Sequence, residues 1–329
     1  MRNADRPSTG GSGQTLSVIM PVFNTGFLLI ESVESVLRQD LFQTMSPSDW
    51  ELILVDDRST DADTALALVK AESLSPHVKI VKNFRTKGAA GARNAGLLSS
   101  RATWIAFLDS DDIWYRDFLT RQGEQVAARP EVVWTAAHFL IGDESAKPNP
   151  LPLRDRSPCL HRIIEDDYRN GRSTLLRRPV EMLLRCGCIA ILTVMATRSV
   201  LLAANGFDEA LSRAEDYDLW MRLSIHHDLL FLPFDAGVYR TRTGSLTKSG
   251  EPMYQFEDRM LRGALKNFAF DPYRAALRHR LAFVYDAYCY HYRRQRMFGF
   301  ALWFALHYLR LAPVRTSSWR QLAAAILRR

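Results

Sequence analysis

Four short apolar runs, each halted by polar or acidic residues and separated by stretches of helical periodicity, constrain this chain more than any other feature. They are Leu16 to Met20, Glu51 to Val55, Val78 to Val81 and Trp104 to Leu108. Between the first two, Leu29, Val33, Val36 and Leu37 recur at i, i+4, i+7 and i+8, the pattern of a helix with one buried face. Asp61 to Glu72 and Ala89 to Ser100 read as two further helices. Strands alternating with helices imply an α/β fold, a mostly parallel sheet sandwiched by helices, with ligands bound beyond the carboxyl ends of the strands.

The residues at that edge carry chemistry. Pro21-Val22-Phe23-Asn24 follows the first strand, Asp56-Asp57-Arg58-Ser59 the second and Asp109-Ser110-Asp111-Asp112 the fourth. A carboxylate accepts from a base N–H, an aromatic ring frames or stacks on a base, and an aspartate pair reaches ribose and metal. Three carboxylates within four residues repel one another, and a divalent cation with oxygen ligands neutralises such a set. The same residue types also cap helices and start turns, so the cluster gains its weight from the rest of the chain. Gly88 to Gly96 is a small-residue loop opening a helix; it suits close backbone approach to a ligand and sets Arg93 to meet a phosphate or carboxylate.

Through Ser17-Val18-Ile19-Met20-Pro21-Val22-Phe23-Asn24, Leu54-Val55-Asp56-Asp57-Arg58-Ser59-Thr60-Asp61, Gly91-Ala92-Arg93-Asn94-Ala95-Gly96-Leu97, Phe107-Leu108-Asp109-Ser110-Asp111-Asp112 and Ala214-Glu215-Asp216-Tyr217-Asp218-Leu219-Trp220, the chain resembles the family 2 glycosyltransferases of the GT-A fold. The motifs occur in the family's order over residues 15 to 250. The resemblance implies nucleotide-sugar binding, a Mn or Mg ion on the Asp-x-Asp motif and transfer with inversion at the anomeric carbon. It implies that Asp57 meets the nucleobase, that Pro21 and Phe23 line its pocket, and that Asn24 and Ser110 belong to the donor-binding set. Asp109 would face the ribose and Asp111 would be the main metal ligand, with Asp109 beside it. By family frequency the donor is a UDP-sugar, with dTDP sugars as the alternative. The acceptor would be a saccharide or lipid-linked hydroxyl in polysaccharide or glycolipid biosynthesis.

An acceptor hydroxyl loses its proton as it attacks, which calls for a carboxylate or His within reach. Glu215 and Asp216 are the candidates. By family match Asp216 is the base and Glu215 holds the acceptor or orients the site, with the opposite assignment as the alternative. Both acids also suit a helix N-terminus, with Leu219, Trp220 and Leu223 as its buried face. One departure stands out in Tyr239 to Thr247, where the family often has a His at the position of Arg242. Arg cannot ligate a metal, so its charge assigns it to the donor diphosphate, with a surface arginine as the alternative. His226 and His227 read as turn or surface residues.

Residues 1–15, Gly/Ser/Thr-rich and without the apolar core of a signal peptide, read as a disordered tail in a cytoplasmic protein. Residues 16–125 would be the nucleotide-sugar half of the GT-A domain and 126–250 the acceptor half, with a strand over Trp134 to His138 and a loop over Lys147 to Pro158. Residues 251–329 would be a basic helical extension: from Arg259 onward there are 14 Lys/Arg against 2 Asp/Glu, within a chain of net charge +7. The apolar run Met297 to Leu306 is shorter than the about 20 residues a bilayer requires. It is either a core helix packed on the catalytic domain or an amphipathic element in the headgroup layer, peripheral to the inner face of the cell membrane. No nucleic-acid recognition motif accompanies the charge, so nucleic acid is not an expected partner.

Four cysteines are too sparse for a disulfide scaffold, and Cys186-Gly187-Cys188 lacks the second pair that a zinc ribbon needs. A nucleotidyltransferase would carry a Gly-rich loop with a basic residue directly after strand one, and a dehydrogenase a Gly-x-Gly-x-x-Gly turn. Neither loop is there. A sugar- or nucleotide-binding module without turnover is the non-enzymatic alternative, and retention of both acid pairs counts against it.

Overall fold

The computed structural model describes residues 15–149, 157–187, 189–242 and 253–327. The expected tail lies outside them except for Thr15, as do Cys188, residues 150–156 of the expected loop and residues 243–247 of the segment around Arg242.

Strands β1 (Leu16–Val22), β2 (Trp50–Asp56), β3 (Val78–Lys82) and β4 (Trp104–Phe107) form at the apolar runs, alternating with helices α1 (Leu28–Leu37), α2 (Ala62–Leu74) and α3 (Ala89–Ser99). They pair in the order β3-β2-β1-β4, all parallel, because each helix supplies the crossover that parallel neighbours require. Alternate side chains leave opposite faces of the sheet. Val18, Met20, Leu52 and Leu54 enter the layer shared with α1 and α2, while Ile19, Ile53 and Val55 meet α3. Asp61 caps α2, its carboxylate accepting from the Thr64 N–H at 2.7 Å.

The chain continues through β5 (Ile113–Trp114), α4 (Phe118–Ala127), β6 (Trp134–Gly142), β7 (Pro148–Asn149), α5 (Pro158–Arg169), β8 (Thr174–Leu176) and α6 (Val180–Cys186). Then come β9 (Met195–Thr197), α7 (Arg198–Ala203), α8 (Glu215–His226) and β10 (Leu229–Arg240). The sheet extends from β4 as β9-β6-β10-β5. β9 is antiparallel to both β4 and β6, so β6 and its parallel neighbour β10 point the same way as β1. The first four strands therefore have the expected parallel character, the rest of the sheet is mixed, and the ends of β1, β2, β4, β6 and β10 share one edge.

The C-terminal extension is helical, with α9 (Met253–Lys266), α10 (Arg274–Arg294), α11 (Phe298–Leu311) and α12 (Thr316–Ile326). Leu281, Tyr285 and Tyr288 of α10 join the core layer of α3 and α8, and Ala301, Phe304, Ala305 and Tyr308 of α11 join the same layer. The apolar run packs on the protein by one face, as the core-helix reading expects. Its opposite face is exposed. Cys159 of α5 and Cys186 of α6 form a disulfide across a Cα–Cα distance of 5.4 Å. One cross-link in a large core is not a disulfide scaffold, and spacing alone does not reveal which cysteines pair.

Candidate active site

The loop after β1 turns at Asn24, whose backbone is left-handed at φ 47°. Its side chain reaches the loop after β2, accepting from the Thr60 N–H at 2.8 Å and donating from Nδ2 to Thr60 Oγ1 at 3.2 Å. Asn24 thus clasps two loops together. Next to it Phe23 is 42% exposed, with Lys87 Nζ 4.4 Å from the ring centroid, an open aromatic surface beside a cation. Pro21 pairs in register with Val55 at the last turn of the strands. Asp57 is buried: Asn83 Nδ2 donates to its Oδ1 at 2.5 Å and the Gly88 N–H to its Oδ2 at 2.7 Å. It anchors the entry to α3, and each oxygen keeps a second lone pair.

Gly91 and Gly96 of the 88–96 segment serve the protein's own packing. A Cβ on Gly91 would lie 1.8 Å from the Thr86 carbonyl oxygen, and one on Gly96 2.5 Å from Ile19 Cγ2. Gly91 backs onto the loop before α3 and Gly96 onto β1. Asn94, to which no role was assigned from the sequence, donates to the Phe207 carbonyl at 2.9 Å and accepts from the Phe207 N–H at 2.9 Å. Glu209 was not singled out either. It accepts from Arg85 Nε at 2.8 Å, Asn94 Nδ2 at 2.8 Å and the Thr86 N–H at 3.2 Å. Burial pushes its carboxyl up, but the hydrogen bonds from Asn94, Thr86 and Arg85 prevail and bring it down to about 2.

Arg93 is buried and bridges two elements: NH1 donates to Glu215 Oε1 and NH2 to Asp109 Oδ1, both at 2.6 Å. Of the phosphate or carboxylate expected there, the guanidinium meets two protein carboxylates, so its fork is already committed. Burial would lower its pKa; Asp109 and Glu215 outweigh burial and raise it. α8 begins after Ala214, which takes a left-handed backbone at φ 62° and leaves Glu215 and Asp216 in the first turn. Leu219, Trp220 and Leu223 form its buried face, as expected. Asp216 keeps an opening to solvent yet is crowded by protein. Burial first, then the charge of Glu215, lift its carboxyl to about 7 against the opposing pull of Arg93.

The acidic cluster divides in two. Ser110 is buried, its Oγ 2.7 Å from Thr25 Oγ1 and its carbonyl accepting from Ser32 Oγ at 3.0 Å. It ties the loop after β4 to the start of α1. Asp112 is buried too: Oδ1 accepts from the Arg240 N–H at 2.8 Å, while Oδ2 has no hydrogen-bond partner among the described residues. Burial and the charges of Asp109 and Asp111 hold its carboxyl well above the usual range. Arg240, another residue the sequence did not flag, is buried and donates to Glu31 Oε2 at 2.8 Å.

Asp109 and Asp111 remain partly exposed at the edge. Burial and Asp109 raise the Asp111 carboxyl, and Arg242 opposes them through an ion pair with Nε 2.8 Å from Oδ2. Three carboxyls this close, that of Asp112 with an unsatisfied buried oxygen, fit a hard cation for which Asp109 and Asp111 would be the oxygen donors. Among the described residues no three His, Cys, Asp or Glu side chains form a cage for a metal. A cation of the Mg type, bound by one or two carboxylates and completed by phosphate, requires none.

The family model for glycosyl transferase family 2 matches residues 17–199, more than half of the chain. The UDP-Glc:alpha-D-GlcNAc-diphosphoundecaprenol beta-1,3-glucosyltransferase WfgD of Escherichia coli is 30% identical over 71% of this chain and 80% of that protein. The putative colanic acid biosynthesis glycosyl transferase WcaA of Escherichia coli K12 is 26% identical over 64% of this chain and 67% of that protein. Among solved structures, S. aureus TarS 1-349 in complex with UDP-GlcNAc aligns with a TM-score of 0.64 at 16% identity, covering 95% of this chain and 88% of that one. A mannosyltransferase from Pyrobaculum calidifontis in complex with GDP-Man and Mn2+ aligns at 0.57 and 18% identity, covering 95% and 80%. The chain belongs to glycosyl transferase family 2 and is a glycosyltransferase with the GT-A fold.

Proposed function

We propose that the protein moves a sugar from a nucleotide-diphosphate sugar, a UDP-sugar foremost, to a hydroxyl of a saccharide or lipid-linked acceptor, with inversion, in polysaccharide or glycolipid assembly. The observation that carries this reading is the pair of 2.6 Å contacts through which Arg93 joins Asp109 to Glu215. They hold the donor end of the site and the base end in one rigid unit. WfgD, by its name, takes UDP-Glc and a diphosphoundecaprenol-linked acceptor, and TarS is solved with UDP-GlcNAc; the first supports the choice of donor and acceptor class, the second the choice of donor. Such an acceptor is embedded in lipid, which sets the enzyme at the inner face of the cell membrane with its C-terminal helices in contact.

In this reading residues 16–125 hold the donor and 126–250 the acceptor. Pro21 and Phe23 frame the base, Asp57 accepts from a base N–H through a free lone pair, and Asp109 faces the ribose. Asp111, with Asp109, would hold Mn or Mg, which when bound supplies positive charge to the departing diphosphate. Arg242, already at Asp111, adds positive charge at the same point. Asp216 takes the proton of the acceptor hydroxyl as its oxygen bonds to the anomeric carbon, while the bond from that carbon to the diphosphate oxygen breaks on the opposite side. Glu215 is the weaker candidate for base, since its Oε1 is engaged by Arg93, and it orients the site.

Asp111→Ala removes one hard oxygen ligand and one negative charge together. Its expected result in calorimetry is UDP-sugar affinity that no longer responds to Mn or Mg. A variant that binds donor with the wild-type metal response would contradict the assignment.

A further inference from the structure

α11 is apolar on both its inner and its outer face. Ala301, Phe304, Ala305 and Tyr308 face inward, whereas Phe300, Trp303 and Leu306, spaced i, i+3 and i+6, stand outward at 55%, 45% and 44% exposure. A surface helix ordinarily places polar side chains there, and a helix apolar on every side is one that something covers. α12 repeats the pattern, exposing Trp319 and Ile326. The charged side chains carried by α11 and α12 themselves are all arginines. No Asp or Glu follows Asp286 in the sequence; the exposed Arg294 and Arg296 precede α11, Arg310 lies in its last turn and Arg320 in α12, while Arg293 and Arg315 are engaged by Gln321 and by His279 and Phe283.

We propose that the outer face of α11, continued by α12, docks on an anionic lipid bilayer. The surface rests on the membrane-linked reading above and gives it a location. The apolar strip takes the acyl boundary and the arginines take anionic headgroups, the combination that holds an amphipathic helix in the interface plane. A second copy of the chain would set the exposed arginines of one face against those of the other, which disfavours it as the occupant. At 14 residues α11 reaches about 21 Å, less than the roughly 30 Å hydrocarbon core. No helix among the described residues is long and apolar enough to cross a membrane, so α11 lies along the surface. The module is not loosely appended. α10 packs against α6, and the Tyr217 hydroxyl of α8 donates to the Leu183 carbonyl of α6 at 2.9 Å. Docking thereby fixes the helix that carries Glu215 and Asp216 relative to the bilayer.

The test is co-sedimentation of the full chain with vesicles of phosphatidylcholine alone and of phosphatidylcholine mixed with phosphatidylglycerol. The wild type is expected on the anionic vesicles and, because the attraction is partly electrostatic, less so at high salt. Phe300→Ser, Trp303→Ser and Leu306→Ser combined should weaken partitioning by about tenfold or more, since three apolar side chains leave the interface. All three project outward, so the thermal midpoint and UDP-sugar affinity should stay near wild type. For a second readout, indole fluorescence of the wild type should be quenched by brominated anionic lipid more than that of Trp303→Phe. Wild type that stays off anionic vesicles, or a triple variant that partitions like wild type, overturns the proposal. So does a wild-type dimer that the triple variant dissociates while neither protein binds vesicles. Donor binding in the same samples separates the two ideas: vesicle binding without UDP-sugar binding would sink the UDP-sugar reading and leave the docking surface standing.

Discussion

Asp216→Asn is expected to cut sugar transfer by about 10²-fold or more while leaving donor affinity near that of the wild type. Asn has the same shape and can keep the contact in which Oδ1 accepts from the Tyr217 N–H at 2.7 Å, so α8 should start unchanged. What it loses is the ability to take a proton. The same residue sets the pH dependence. With its carboxyl lifted to about 7, the proposed base is protonated and idle below that value and ionised above it. Wild-type transfer should therefore climb with pH up to about 7 and level off beyond, a limb missing from the variant's residual rate. Full activity in Asp216→Asn, or wild-type rates that fall as pH rises through 7, would move the base to another group.

Arg93→Met should destabilise the fold by about 3 kcal/mol or more, the cost of leaving carboxylates buried without their partner. For a chain of 329 residues that lowers the melting temperature by roughly 4 °C or more. Two carboxylates face the lost guanidinium, so no single neighbour can absorb the change. Removing the charge that opposes Asp216 protonation should also push the ascending limb of the pH profile above 7, an effect that simple loss of packing does not produce. Arg93→Lys keeps the charge but cannot span both partners, and should fall between the two. An Arg93→Met protein with the wild-type melting point and pH profile would show that the bridge does not organise the site.

The first four strands were readable because each run of apolar residues is bounded by polar ones and the intervening helices carry their own period. The mixed half was not. β9 is three residues long, too short for any alternation, and its antiparallel insertion between β4 and β6 depends on pairing across the sheet. The edge chemistry followed a similar division. The Asp-x-Asp run and the Glu215-Asp216 pair announced themselves locally, but which side chains of the run stay at the edge was decided by distant partners. Ser110 turns inward to Thr25, 85 residues away, and Asp112 to Arg240, 128 away. Arg93 illustrates the limit best. Small neighbours at positions 91 to 96 advertised close packing, yet its second carboxylate lies 122 residues on, and no pattern within the loop points to it.

The most direct measurement of the central claim is incubation of the protein with a panel of nucleotide sugars and a lipid-linked saccharide acceptor, with Mn or Mg and then with chelator, following released nucleotide and the product's anomeric configuration. The account predicts release of UDP from one or a few UDP-sugars, dependence on the divalent ion, and a product of inverted configuration. Donor that binds but is neither transferred nor hydrolysed, or transfer that proceeds with retention, would contradict it.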